Sequence, residues 1–419
     1  MNYTWVSEGE LLSLPKGAKD DFLQMLTEEV ASRIGKGGAG ASSNHSSPFI
    51  EIQGNANGKL TDLRIIVAAP AHKENEVYIA YAAVKEAPNE STLDQYESAV
   101  AAARSRIERN APSISWSAII GQVPSSLDKK SFRLTEGARI ENMVLSSDAG
   151  LMIEAVQSRP LSLTRFAMAE TYPIKVKGKS VGYTWEGASI NAAKDLNLLT
   201  SLLSTIWCQL VDVREVPEMI AHGERSTPRH PAWSGSALFD REEWPWEVDE
   251  RGIREVTLPD YASAAWKKLK KEKKLPLALD SFKEGLRCES TSPSLALICF
   301  IASIESISQK IFKTNKCKTC EGRRFISSKF KRTLDLVVKD ERTKNLLGSA
   351  YNLRSRTVHD GKLHGIETTP LNPRSSFFES NSELAFQWQT VSQMKLAAQK
   401  LLVLALNSEL PPRRTFSPE

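Results

Sequence analysis

Arg354 and His359 lie five residues apart in one segment, and their side chain types suit the handling of a phosphodiester. RNA can be cut without a metal ion when its own 2′-hydroxyl attacks the adjacent phosphorus. That reaction needs proton transfer near neutral pH, where histidine titrates. It also needs a fixed positive charge on the developing phosphorane, which the planar guanidinium of arginine supplies. The pair therefore predicts RNA cleavage, with His359 transferring protons and Arg354 binding the scissile phosphate.

The spacing of Arg354 and His359 indicates that two copies of the chain are needed. On an ideal α-helix, residues five apart lie about 140° round the axis, so one copy makes an awkward site. Two copies facing each other would bring two arginines and two histidines into one cleft, which predicts a homodimer. The alternative is a helix-end hydrogen-bond pair that helps to close a helical bundle and has no chemical role.

Three further side chains each allow two interpretations. Glu305 lies in the middle of an apolar helical stretch, where a carboxylate is costly to bury unless it is paired. Arg354 is its natural partner, and a solvent-exposed position at the edge of the apolar stripe is the alternative. Arg356 is expected on a different helix face, either as an RNA contact or as a surface residue. Asp360 either orients an imidazole or caps the turn.

Cys317 and Cys320 have the spacing of a zinc-binding pair. A structural zinc site needs four ligands, and the sequence contains no second pair with this spacing. A dimer partner, Cys288, Cys299 or His364 could complete the set, and unliganded thiols on a loop are the alternative. The total of five cysteines is odd and irregularly spaced, which argues against a disulfide framework. No cofactor other than this zinc ion is expected.

Basic residues are concentrated in two stretches of the C-terminal part. Residues 267–274 contain six lysines and one glutamate, and residues 310–332 contain nine basic residues and one acid. Such clustering can neutralise phosphates. Lys329 and Lys331 are therefore candidates for RNA contact, with a solvated helix face as the alternative for each stretch.

The segment around Arg354 resembles the Arg-x4–6-His signature of the HEPN superfamily, the higher-eukaryote and prokaryote nucleotide-binding domains. It is most similar to the branch found in ApeA-like abortive-infection defence proteins. The matching positions are Tyr351, Leu353, Arg354, Ser355, His359 and Gly361. The features upstream also occur in the order of that branch: Ile304-Glu305 in an apolar helix, Cys317-x-x-Cys320, and Lys329-Phe330-Lys331 in a basic helix. The resemblance concerns the C-terminal part of the chain only.

This resemblance implies an all-helical ribonuclease domain that pairs into a homodimer with a shared site. Arg354 and His359 would be the catalytic residues, and Glu305, Ser355 and Tyr351 would support them. Ser355 is a departure from many nucleases of the superfamily, in which Asn, Asp or His follows the arginine. Serine is compatible with the ApeA-like branch.

The same resemblance implies a role in prokaryotic anti-phage defence by abortive infection. The N-terminal part would sense a trigger, such as a phage component, and the latent nuclease would then cut RNA and halt growth. Two other hypotheses stay open. One is a HEPN module without nuclease activity that binds nucleic acid or nucleotide, or that dimerises. The other is a toxin held inactive by a partner protein.

Hydrophobic periodicity predicts a multidomain chain, with an N-terminal α+β domain followed by an all-α bundle. The resemblance implies that this bundle is of the HEPN type. The predicted divisions are an α+β sensor or regulatory domain at 1–210, a Pro- and Trp-rich irregular connector at 211–255, the helical bundle at 256–410 and a tail at 411–419. Residues 35–47 are predicted to form a flexible loop. Their Gly-x-Gly-x-x-Gly string matches a dinucleotide fingerprint, but a helix rather than a strand is predicted before it. Residues 174–185 predict a hairpin around Gly178.

Composition and motifs exclude several classes of function. The chain has 419 residues, a net charge of +5, 41% hydrophobic and 25% charged residues, which are ordinary values for a globular protein. Residues 1–14 lack the pattern of a signal peptide, and the longest apolar stretch is about half of the roughly 20 residues that span a bilayer. A cytoplasmic protein without a membrane partner is expected. No Walker loop, Gly-x-Ser-x-Gly elbow or carboxylate constellation is present in the sequence.

Overall fold

The chain runs from a strand-rich N-terminal region into a helical C-terminal region, as the sequence predicts. A computed structural model describes residues 4–6, 9–15, 18–44, 47–56, 58–69, 75–83, 90–109, 111–125, 130–147, 150, 152–155, 168–220, 252–313, 326–361, 363–364 and 386–416. The chain forms two compact units. The first comprises residues 1–116, 179–192 and 219–223, and the second comprises residues 117–178, 193–218 and 224–419.

The first unit is built on an antiparallel sheet. Its elements are β1 (Thr4–Trp5), β2 (Glu10–Ser13), α1 (Lys19–Arg33), β3 (Gly38–Asn44), β4 (Ser47–Gln53), β5 (Asn55–Ala56), β6 (Lys59–Leu60), β7 (Leu63–Ala68), β8 (Glu76–Ala83) and α2 (Glu90–Ile107). The main sheet has the order β1-β8-β7-β4-β3, with β2 also paired to β8. Alternate residues such as Ile65 and Val77 belong to a core that also contains Phe22 of α1 and Tyr96 of α2.

The Gly- and Ser-rich segment after α1 is a strand and not the predicted flexible loop. β3 pairs with β4 in register from Gly38↔Gln53 to Asn44↔Ser47. It is the outermost strand of the sheet, where backbone hydrogen bonds suffice and little side-chain packing is required. A β-carbon at Gly37 would overlap the carbonyl oxygen of Gln53, so glycine here permits a close backbone approach. A helix precedes the segment, as predicted.

The middle of the chain adds further strands and one long helix. These are β9 (Ser113–Gln122), β10 (Ser131–Leu134), β11 (Ala138–Ile140), β12 (Met143–Ser146), β13 (Met152–Ala155), β14 (Met168–Thr171), β15 (Ile174–Val181), α3 (Trp185–Trp207), β16 (Val211–Ile220) and β17 (Ile253–Val256). One sheet has the order β11-β12-β15-β9-β16, while β13 pairs with β14 and β10 pairs with β17. β15 runs straight through Gly178, so the predicted hairpin there is wrong. Buried and exposed residues alternate without interruption across this glycine, which is the pattern of a single half-buried strand.

The predicted connector at 211–255 is only partly irregular. Its first ten residues form β16, the outer strand of its sheet, where Pro217 is tolerated because an edge strand needs fewer ladder hydrogen bonds. Residues 221–251 lie outside the described residues. The boundaries of the two compact units differ from the predicted domain boundaries at 210 and 255. The prediction assumed that each domain is continuous in sequence, whereas each unit combines segments that are distant in sequence.

The C-terminal region consists of helices, in agreement with the predicted bundle. They are α4 (Ala262–Lys271), α5 (Lys274–Cys288), α6 (Pro293–Ile311), α7 (Ile326–Leu334), α8 (Glu341–Asp360), a π-helical turn (Phe386–Val391) and α9 (Ser392–Leu406). α6 contacts α5, α7, α8 and α9, so it is the centre of the region. Within the part of the chain that the structure describes, α6 is also the one helix apolar and long enough to cross a membrane. Its apolar residues form core here, including Leu297, Phe300 and Ile304.

Residues 411–416, predicted to belong to a tail, return to the end of α6. The backbone N–H of Lys313 donates to the carbonyl of Arg414 at 2.9 Å, and the N–H of Arg414 donates to the carbonyl of Ile311 at 2.8 Å. Phe416 is buried with its ring centroid 5.3 Å from that of Phe312. This segment therefore completes the bundle.

Gly285 allows α5 and α6 to pack closely. A β-carbon at this position would overlap the ring of Phe300, which also lies 5.4 Å from the ring of Phe282. We expect Gly285→Ala to lower the free energy of unfolding by about 1–2 kcal/mol, because overpacking outweighs the gain in helix propensity. Gly348→Ala on α8 is the matched control. Its β-carbon would lie 3.5 Å from Lys331 Cε, an ordinary contact, so we expect stabilisation of up to about 1 kcal/mol. Urea denaturation followed by tryptophan fluorescence measures both, and equal effects would contradict the packing argument.

Asp212 links β16 to α5 through two cations. It accepts hydrogen bonds from Lys283 Nζ at 3.0 Å and from Arg287 Nη2 at 2.6 Å, and Lys283 also donates to Thr200 Oγ1 at 2.7 Å. Burial opposes the charged form of Asp212, but Lys283 and then Arg287 outweigh it, so the pKa of this carboxyl lies below its ordinary value.

This lowered pKa predicts a pH dependence. The stability that ionised Asp212 contributes is present above the pKa of the unfolded chain, about 4, and is lost as pH falls through the lower folded pKa. The difference in free energy of unfolding between the wild type and Asp212→Asn should therefore be largest near pH 7 and shrink towards pH 3. Asp94→Asn, at an exposed position on α2, is the control and should show little difference at either pH. A difference for Asp212→Asn that is constant with pH would contradict the ion pairing.

Candidate active site on helices α6 and α8

Helix α8 carries most of the candidate residues and is capped at both ends. Asp340 accepts a hydrogen bond from the N–H of Thr343 at 2.7 Å. Gly361 ends the helix in the left-handed conformation with a φ of 65°, and its N–H donates to the carbonyl of Arg356. Between the caps, only Leu347 and Ala350 are fully buried. A narrow edge of α8 therefore packs on the bundle, and most of its surface remains accessible.

Glu305 of α6 contacts this edge of α8. Of the two predicted interpretations, a carboxylate paired with Arg354 and a solvent-exposed one, the structure shows the paired carboxylate. Its Oε1 accepts a hydrogen bond from the hydroxyl of Tyr351 at 2.7 Å. Its Oε2 lies 3.5 Å from Nη2 of Arg354. Tyr351 and Arg354 are three residues apart on α8, so one face of this helix supplies both donors. The carboxylate thereby fixes the position of the guanidinium.

Tyr351 lies between a ring and a cation. Its ring centroid is 4.9 Å from that of Phe330 on α7, and the guanidinium carbon of Arg354 lies 5.8 Å from it. Burial first, then the hydrogen bond to Glu305 and the charge of that carboxylate, raise the pKa of Tyr351 well above its usual range, and Arg354 opposes the shift only in part. The phenol therefore stays protonated and acts as a donor to Glu305.

Arg354 keeps unused hydrogen-bonding capacity. Its side chain is 27% exposed. Its Nε is buried, and among the described residues it has no hydrogen-bond partner. A guanidinium has five N–H donors, and a buried donor without a partner is costly. An anion can therefore contact Arg354 only through the exposed part of its side chain.

His359 lies on a different side of α8. The residue is exposed in the last turn of the helix, whereas Arg354 is held against α6. Five residues along a helix correspond to about 140° and about 7.5 Å, so a single α8 does not converge the two side chains on one point. Within the described residues, no hydrogen bond joins them or reaches the imidazole of His359.

The remaining candidates are distributed unevenly. Ser355 is half-buried and Arg356 is exposed on α8, and Lys331 is exposed on α7. Lys329, predicted as an RNA contact, is not presented at the surface. It is only 8% exposed, its Nζ donates to the carbonyl of Lys313 at 2.7 Å, and burial lowers its pKa. It lies on the side of α7 that packs into the bundle, which a basic run in a sequence does not reveal.

The two cysteines of the zinc hypothesis, Cys317 and Cys320, lie outside the described residues. Burial, and the charges of Cys288 and Glu284, raise the pKa of Cys299 to about 11. Among the residues that the structure describes, no group of three or more His, Cys, Asp or Glu side chains could hold a metal ion.

His364 is a structural residue that the sequence did not reveal as one. It is buried, its N–H donates to Ser294 Oγ at 2.8 Å, and its Nε2 lies 3.3 Å from the carbonyl oxygen of Leu353. It therefore attaches the segment after α8 to the beginning of α6, beside Arg354. Ser294 and His364 are 70 residues apart, and no spacing rule connects them.

Comparisons with protein-family models, curated proteins and solved structures found no match to this chain.

The hydrogen bond between Tyr351 and Glu305 predicts a measurable contribution to stability. We expect Tyr351→Phe to lower the free energy of unfolding by about 1.5–3 kcal/mol, the range for a hydrogen bond to a charged group. Tyr261→Phe is the matched control, because within the described part of the chain the hydroxyl of Tyr261 has no hydrogen-bond partner. The control should stay within about 0.5 kcal/mol of the wild type. Urea denaturation of the two variants decides, and indistinguishable values would argue against the pair.

Proposed function

We propose that the chain is a metal-independent endoribonuclease whose active site forms where two copies of α8 face each other. One observation carries the proposal. Arg354 lies 3.5 Å from Glu305, which Tyr351 holds by a hydrogen bond, and the arginine side chain is still 27% exposed, while His359 on the same helix is exposed. An anchored guanidinium with spare donors suits a phosphate, and an accessible imidazole suits proton transfer.

In the proposed reaction, the ribose 2′-oxygen forms a bond to phosphorus as the bond from phosphorus to the 5′-oxygen breaks. The 2′-hydroxyl proton passes to one imidazole, and an imidazolium gives a proton to the departing 5′-oxygen. A homodimer supplies His359 twice, so one copy can accept a proton while the other donates one. Arg354 stabilises the charge that develops on the non-bridging oxygens. The products are a 2′,3′-cyclic phosphate and a 5′-hydroxyl.

Glu305 and Tyr351 act in this proposal as positioning residues. Tyr351 donates a hydrogen bond to Glu305, and Glu305 pairs with the guanidinium of Arg354, so less freedom of the arginine is lost when the phosphate binds. Ser355 follows Arg354 in the sequence and is half-buried, and it has a supporting role in this proposal. Arg356 and Lys331 are exposed and are proposed as contacts to the RNA backbone.

The proposed biological setting is prokaryotic defence, in which residues 1–210 respond to a phage-derived trigger and release a latent nuclease. The support for this setting is the resemblance of the C-terminal part to ApeA-like proteins. A cytoplasmic location fits the same proposal.

A second candidate is a HEPN module that binds nucleic acid or dimerises without cutting. The ion pair between Arg354 and Glu305 favours it, because a guanidinium held in this way can also be purely structural. A cleavage assay separates the two candidates, because a binding module would bind RNA without cleaving it.

The nuclease assay uses purified chain and total cellular RNA in EDTA, with an extract of phage-infected cells added as the source of the trigger. We expect cleavage that His359→Ala reduces by about 10²–10⁴-fold, the usual contribution of general acid–base catalysis. Arg354→Ala should show a comparable loss. Arg342→Ala, at an exposed basic residue in the first turn of the same helix, is the matched control and should cleave like the wild type. Relief of growth arrest by Arg354→Ala on expression gives an independent readout that includes any cellular trigger.

A mixing experiment tests the shared site. Wild-type chains co-expressed with an excess of His359→Ala chains form mixed dimers that keep a single imidazole. We expect these dimers to cleave no better than the His359→Ala dimer, because the reaction needs one imidazole to accept a proton and another to donate one. Cleavage by His359→Ala at the wild-type rate would contradict the proposal. So would cleavage by a wild-type chain that analytical sedimentation shows to be a monomer.

A further inference from the structure

The end of α6 is surrounded by basic residues from three separate segments. α4 contributes its last turn, α6 contributes its C-terminal residues, and the chain after α9 returns beside them. Together they form what we call the α6-end surface: Lys268, Lys271, Lys310, Lys313, Arg413 and Arg414.

Hydrogen bonds and a ring contact hold this surface together. The ammonium of Lys310 donates to Glu272 beside α4, and Lys268 donates to Ser408 Oγ at 3.0 Å. The backbones of Lys313 and Arg414 are hydrogen-bonded at 2.9 Å, and the guanidinium carbon of Arg414 lies 5.2 Å from the ring centroid of Phe312. The longest of these contacts in sequence, between Lys268 and Ser408, joins residues 140 positions apart.

The positive charge of the surface exceeds the acid beside it. Of the acidic residues next to the six cations, Glu272 is engaged by Lys310, and Glu409 follows Ser408 at the end of α9. Burial lowers the pKa of Lys268, and the like charge of Lys310 lowers it further. Lys271, Lys313, Arg413 and Arg414 are exposed. A cluster with this imbalance attracts a polyanion.

The surface lies at the C-terminal end of α6, the helix that holds the anchor of Arg354. Lys310 follows Glu305 by five residues on α6, which corresponds to a rise of about 7.5 Å, and Lys313 lies just beyond the end of the helix. A few nucleotides of single-stranded RNA span such a distance. The rings at the surface, Phe312 and Phe416, are buried, so charge rather than base stacking is available for contact.

We propose that the α6-end surface binds the phosphate backbone of single-stranded RNA and leads the strand to the Arg354 site. This inference rests on the proposed nuclease function and adds how the substrate is held. Contacts of lysine and arginine to phosphates position a strand without reading its sequence. Binding at this surface should therefore be insensitive to base identity and sensitive to salt.

The test is a charge reversal measured by binding. The chain carries His359→Ala throughout, so no RNA is consumed, and the probe is a fluorescein-labelled 20-nucleotide oligouridylate. Lys271→Glu, Lys313→Glu and Arg413→Glu are combined in one variant. We expect binding to weaken at least tenfold and the slope of log K against log salt to fall by about two, since each phosphate contact on a single strand contributes about 0.7. Fluorescence anisotropy measures both.

A matched control distinguishes a site from general charge. Lys177→Glu, Lys339→Glu and Arg342→Glu make the same change of net charge at exposed positions outside the surface. Circular dichroism confirms that both triple variants are folded. Equal weakening in the two, or no weakening in the first, overturns the inference.

The outcome is separable from that of the proposed function. If the α6-end variant alone loses binding while the wild-type chain cuts no RNA, the surface is supported and the nuclease proposal fails. If the wild type cuts RNA and the α6-end variant binds like the control, the nuclease proposal stands and the surface is refuted.

Discussion

A carboxylate in the middle of an apolar helix must be paired on both oxygens or it destabilises the fold, and Glu305 occupies such a position on α6. Tyr351 and Arg354 supply the pairing from one face of α8. Because a rotation of α8 by one residue, about 100°, would carry both donors away, this single carboxylate specifies the orientation of the helix. The orientation of α8 in turn sets the directions of the other candidate side chains on this helix. Phe330 of α7 contributes to the same orientation through its contact with the ring of Tyr351.

The same constraint separates the side chains along α8. The face towards α6 holds Arg354, paired with Glu305, and Tyr351, and the opposite side exposes His359. In the proposed nuclease, charge stabilisation and proton transfer would therefore lie on different surfaces of one helix, and a second copy of the helix would be needed to unite them. This separation is the physical basis for proposing a dimer, since the alternative, a bundle with a structural ion pair, leaves the exposed imidazole without a role.

The helical character of the C-terminal region was predicted correctly, because apolar periodicity is encoded within a few residues. Pro293 at the start of α6 and Gly361 at the end of α8 are local signals of the same kind. The pairing of Glu305 was also accessible, since a charge within an apolar stripe demands a partner. Features that depend on distant segments were missed. Pairing with neighbouring strands stabilises the Gly- and Ser-rich β3 and the strand through Gly178. The first part of the predicted connector likewise forms an edge strand, β16, by pairing with β9. The burial of Lys329 and the anchoring by His364 likewise follow from tertiary contacts that composition and spacing do not contain.

Asp212 is the one carboxylate on β16 that both Lys283 and Arg287 of α5 contact, and these two cations are one helical turn apart. Side chains on a strand alternate between faces, so sliding β16 by a single residue would turn Asp212 away and leave Lys283 with only the hydroxyl of Thr200. The register of β16 and the position of α5 therefore depend on each other. A shift of the strand by one residue would require a matching displacement of α5. Because α5 packs on α6, it would also displace the helix that holds Glu305.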